Sequence, residues 1–97
     1  VTPTQVRFPT QAAFKRGVRL VRFRCSLDCI WQVQSVRASD GVGTARVRGY
    51  ARAGDQASAA LQGRRRGVAP VRLVLTVTHP VNPGSPVIRE SRELATR

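Results

Sequence analysis

The chain has 97 residues with 17 basic and 5 acidic side chains, a formal charge of +12. That length holds one domain around one core, and so few aromatic residues (5%) mean a core built mainly from Val, Leu, Ile and Ala. No run approaches the eighteen or so apolar residues of a membrane-spanning helix, and a lone His, His79, far from the two cysteines excludes a conventional zinc site.

From the N-terminus, residues 1–9 alternate weakly and contain Pro3 and Pro9. Proline confines such a segment to a lead-in or an edge strand. Thr10 to Arg16 reads as one helical turn, capped by Thr10, anchored by Phe14 and ended by Gly17. Val18 to Cys25 is a strand. If Leu20 and Val21 straddle a bulge, Arg19, Arg22 and Arg24 point outward, and Val18, Leu20, Phe23 and Cys25 face the core. From Cys29 the period is two: Cys29, Trp31 and Val33 on one face, Ile30, Gln32 and Gln34 on the other.

Ser39 to Gly43 is a turn. In the strand Thr44 to Ala51, Ala45 and Val47 face in and Arg46 and Arg48 face out. Ala53-Gly54-Asp55 turns the chain again, and Ala57 to Leu61 fits either a short Ala-rich strand or one helical turn. Gly63 to Pro70 is a basic loop holding Arg64, Arg65 and Arg66. Val71 to Thr78 is the strongest strand, with Val71, Leu73, Leu75 and Val77 on one face. His79 to Pro86 is dense in turn residues, and a last strand runs from Val87 to Leu94. The predicted core comprises Val18, Leu20, Phe23, Trp31, Val33, Val47, Leu73, Leu75 and Val77.

The two cysteines sit between strands, four positions apart. Extended chain would separate them by about 13 Å, whereas a disulfide needs Cα atoms within about 7 Å. If they are bonded, the chain turns between them, and the pair reads as a hairpin corner with its own staple. Two free, buried thiols are the other reading. A reactive dithiol usually reads Cys-x-x-Cys at a helix N-terminus, which this is not. Disulfides persist in oxidising compartments, so the expected location is secreted or cell-surface. A start at Val1 with no Met in the chain is the expectation for an excised domain or a mature form.

Six or seven short strands with turns every 8–12 residues predict an antiparallel sandwich or barrel. The order Phe14-Lys15-Arg16-Gly17, alternating strand, Cys25-Ser26-Leu27-Asp28-Cys29, alternating strand, and later Leu75-Thr76-Val77-Thr78 before a Pro/Asn/Gly turn resembles the immunoglobulin-like modules of secreted and surface proteins of GC-rich actinobacteria. The resemblance implies an all-β, antiparallel immunoglobulin-like sandwich of about seven strands over residues 1–97, with a local hairpin disulfide and no enzymatic activity. His79-Pro80 departs from the acidic residue that the pattern carries after Thr78, and no cysteine lies near Val71 to Thr78 to form an antibody-type inter-sheet bridge.

No catalytic set is expected. His79 precedes Pro80 with no nucleophile motif beside it. Asp28, Asp40 and Asp55 fall in turns, where Asp is common, and Glu90 and Glu93 point to opposite faces of a strand. No cofactor or metal is expected. The chemistry that the sequence does offer is charge. Arg46, Arg48, Tyr50 and Arg52 form an outward row at strand spacing, Arg64, Arg65 and Arg66 add a cationic loop, and Arg22 and Arg24 a second row. Arginine interleaved with an aromatic suits a polyanion, either nucleic acid or an anionic envelope polymer. All basic residues but Lys15 are Arg, however. Arg codons are GC-rich, so a solvated face in an Arg-biased proteome explains the same row. The expected role is a non-catalytic structural or adhesive module that docks neighbouring domains or an envelope polymer. Polyanion binding is the alternative, and a small accessory or inhibitor domain that presents a loop is a third.

Overall fold

The computed structural model describes residues 2–61, 70–81 and 88–94. The elements are β1 (Pro3–Arg7), α1 (Gln11–Lys15), β2 (Leu20–Cys25), β3 (Cys29–Arg37), β4 (Gly43–Ala51), β5 (Gln56–Ala60), β6 (Val71–Thr78) and β7 (Ile88–Leu94). They form two antiparallel sheets, one in the order β1-β2-β5 and the other β4-β3-β6-β7. β1 lies at a sheet edge, where its proline is tolerated.

One hydrophobic cluster joins the inner faces of both sheets. Val21, Phe23 and Cys25 of β2 and Ala57 and Ala59 of β5 meet Cys29, Trp31 and Val33 of β3 and Leu73, Leu75 and Val77 of β6. The Ala-rich segment is thus a strand. Its small side chains Ala57 and Ala59 are buried in that cluster. Val47 is half-buried against the cluster. Trp31 and Phe23 meet edge to face across the layers, with centroids 5.8 Å apart and planes at 79°.

The helical turn closes one end. Thr10 Oγ1 accepts from the Ala13 N–H at 3.1 Å, and Gly17 leaves the helix at φ 97°. Phe14 is buried under it, with the Arg19 guanidinium 3.6 Å from its ring centroid. Arg19 Nη1 also donates to the Phe14 carbonyl at 2.7 Å, a side-chain contact that ties the start of β2 to the helix.

Two expectations are corrected. The first concerns the start of β2. The strand pairs with β5 in unbroken register from Leu20↔Ala60 to Arg24↔Gln56, with no bulge at Leu20–Val21. Plain alternation then puts Val21 inside, leaves Leu20 half-buried and turns Val18 out at 42% exposure. Arg19, expected to point outward, is instead half-buried, with its guanidinium over the Phe14 ring.

The second concerns the disulfide. Cys25 and Cys29 are bonded, with Cα atoms 6.3 Å apart. But β2 and β3 belong to different sheets and do not pair with each other. The bond therefore closes an arch from one layer to the other, not a hairpin. Periodicity shows which face each strand buries, but it carries no information about which strand lies beside it.

Candidate anion-binding surfaces

β4 is the outer strand of its sheet, and its alternation sets Arg46, Arg48 and Tyr50 outward, with exposed Arg52 just beyond the strand end. Alternate strand positions lie about 6.8 Å apart, so the row is a regular line of cationic and aromatic groups. Opposite it on β3 lie Gln34 (across from Arg46), Gln32 (across from Arg48) and Ile30 (across from Tyr50). The Arg46 and Arg48 guanidinium groups make no ion pair or hydrogen bond with any described residue. The row expected from the sequence is thus present as a line. Arg64, Arg65 and Arg66, expected beside it, lie outside the described residues.

Tyr50 is anchored at one end. Its hydroxyl donates to Asp28 Oδ2 at 3.1 Å, while Asp28 Oδ1 accepts from the Ala53 N–H at 2.8 Å. Those two bonds, the Ala53 one foremost, hold the Asp28 carboxyl below its ordinary range, and the bond to Asp28 raises the Tyr50 phenol. Asp28 lies inside the disulfide loop, so the arch, the end of β4 and the following turn are one unit. The ring of Tyr50 stays 56% exposed in a fixed position. The negative charge of Asp28 marks where the cationic row ends.

A second cationic surface lies on the outer face of the three-stranded sheet. Arg7, Arg22 and Arg24, with Gln5 and Gln56, line an open recess of about 620 Å³. Arg22 and Arg24 were legible as a pair two positions apart on a strand. Arg7 was not, because only the β1–β2 register sets it opposite Arg22. The signal in the sequence was Gln5-Val6-Arg7 on a proline-flanked edge strand, which is too weak to assign a partner.

Two of the acidic side chains are taken up in local bonds. Asp40 accepts from the Val42 N–H at 3.1 Å and pairs with Arg37 at 2.8 Å, which closes the β3–β4 turn. Asp28 is committed as above, and the side chains of Glu90 and Glu93 lie outside the described part. His79 Nδ1 accepts from the Val81 N–H at 3.2 Å. Among the described residues no three His, Cys, Asp or Glu side chains come together, and no helix is long and apolar enough to cross a membrane. Compared with protein-family models, with curated proteins and with solved structures, the chain matches none.

Proposed function

We propose that this chain is a non-catalytic, immunoglobulin-like module of an extracytoplasmic protein, which spaces, presents or docks a neighbouring domain or an envelope polymer. The strand order is the observation that carries the reading. Taking the strands as A, B, C, C′, E, F and G in turn, the sheets read A-B-E and C′-C-F-G, an arrangement in keeping with immunoglobulin-type sandwiches that add C′ to the G-F-C sheet. Trp31 falls on the third strand, where that fold buries a Trp, and Phe23 and Val77 fill the layer between the second and sixth strands. The buried Cys25–Cys29 bond is compatible with an oxidising compartment. The test has two parts: the intact mass of native protein before and after reduction and alkylation, and the compartment in which the full gene product is found. Two free thiols in native protein, or a cytosolic product, would overturn the reading.

Polyanion binding along β4 is the second reading, favoured by the unpartnered guanidinium groups of Arg46 and Arg48 beside an anchored Tyr50. Binding to single-stranded oligonucleotide would fall with salt, and Arg46→Ser/Arg48→Ser would reduce the log–log salt slope by about 1.4, from two lost phosphate contacts. An unchanged slope would remove the β4 row from the interface.

A further inference from the structure

We propose that the recess on the outer face of the three-stranded sheet is a binding site for a phosphate-type oxyanion, held by Arg7, Arg22 and Arg24. It lies on the other sheet from Arg46 and Arg48 and depends on neither reading above. Arg7 and Arg22 are direct cross-strand partners. Like charges directly opposite one another are unfavourable, and neither side chain has an ion pair or hydrogen bond among the described residues. No acidic side chain lines the recess. The free protein therefore holds an uncompensated concentration of positive charge that an anion would relieve.

The third arginine is positioned in advance. Arg24 Nε donates to Gln5 Oε1 at 3.0 Å, and its Nη1 donates to the Gly54 carbonyl. Both bonds fix the guanidinium plane and leave Nη2 for a ligand. Gln5 uses its oxygen on Arg24, so its amide N–H₂ is a further donor at the rim.

The backbone that produces this arrangement is itself unusual. Gln5 has φ 51°, the only positive φ at a non-glycine among the described residues. It sits in the irregularity where the β1–β2 register skips from Thr4↔Arg24 to Arg7↔Arg22. That bulge places Arg7 across from Arg22 and brings Gln5 within reach of Arg24. Strained non-glycine backbone concentrates at ligand sites, and bulges re-aim side chains there.

The chemistry selects the ligand class. Guanidinium forks match tetrahedral phosphate oxygens in bidentate fashion. Three cations lining one recess are balanced by a dianion or higher anion, which a single carboxylate is not. Inorganic phosphate or pyrophosphate, a phosphate monoester, and two adjacent phosphates of a phosphodiester backbone all supply that charge.

The experiment measures thermal shift and calorimetric binding of the 97-residue chain at low salt. Its probes are inorganic pyrophosphate, glucose 6-phosphate and an oligo-dT, which separate the three sources. The expected result is a rise of roughly 10–20 °C in Tm for at least one probe at about a hundred times its Kd. Arg22→Glu should weaken that probe at least tenfold while melting no lower than the wild type, because it sets opposite charge across from Arg7. A purely structural arginine would not show that combination. The control Lys15→Gln, which removes an exposed charge outside the lining of the recess, should bind as the wild type does. Should Arg22→Glu fail to fold, Arg7→Gln carries the same comparison. No shift with any probe, an undiminished shift in the recess variant, or an equal loss in the control overturns the site.

Discussion

Replacing Gly49 with alanine probes how Trp31 is held between the sheets. Gly49 pairs with Trp31 across β3 and β4. A Cβ at that position would stand 2.3 Å from Trp31 Cζ2, 2.7 Å from Cε2 and 3.1 Å from Cη2. Carbon atoms pack best near 3.5 Å or beyond, so the indole would have to retreat by roughly 1.2 Å. It has little room to do so, being 92% buried by complement of its 8% exposure and met edge-on by Phe23. The φ of Gly49 is not in the left-handed region, so alanine carries no backbone penalty there. By itself Gly→Ala would stabilise by about 0.4–1 kcal/mol through the unfolded chain. Overpacking a core costs about 1–3 kcal/mol. The steric term wins, and the net loss should be about 1–2 kcal/mol, a fall in Tm of roughly 4–15 °C for a domain of this size.

Urea unfolding followed by fluorescence reports directly on Trp31, the single Trp. Circular dichroism gives the same transition in a Trp31→Leu background, where the indole ring is gone and Gly49→Ala should be neutral or stabilising. The resulting coupling between the two positions should be about 1 kcal/mol or more. A Gly49→Ala protein as stable as the wild type would refute the packing described for Trp31.

Three further perturbations address the arch and the helical turn. Cys25→Ser/Cys29→Ser should lose about 2 kcal/mol in the chain-entropy model for so short a loop, measured by thermal melting; equal stability would mean that the bond constrains nothing beyond the fold itself. Asp28 has a folded value below the ordinary 3.8, so its contribution is complete above that value and is lost as pH falls through the lowered one. In Asp28→Asn the acid limb of a stability–pH curve should flatten, and an unchanged limb would exclude Asp28 as its source. Thr10→Ala removes the cap on Ala13 and should cost about 1 kcal/mol, whereas no change in urea midpoint would show that the turn is held by Phe14 alone.

Part of the candidate chemistry was readable in one dimension. Arg46, Arg48 and Tyr50 alternate along a single strand, and a period of two is enough to set them on one face. Arg7 joins Arg22 only through a register that skips at a strained Gln5. No local propensity announces a left-handed glutamine, so that recess was beyond sequence reasoning. The anchoring of Tyr50 by Asp28 was hidden for a similar reason: the two are 22 positions apart and meet only where the arch folds back on the end of β4.

By itself the sequence determined most of the strands, the inward faces of β3 and β6, and the need for a turn between Cys25 and Cys29 if the two are bonded. Those follow from alternation and from the reach of a disulfide, both local properties. The tertiary structure decided that Val21 and not Val18 enters the core, that Ala57 and Ala59 belong to a strand, and that the disulfide spans two sheets. The physical reason is that strand partnership is a matter of nonlocal packing. Identical alternation can serve a hairpin or an arch, and only the burial of both inner faces against each other selects between them.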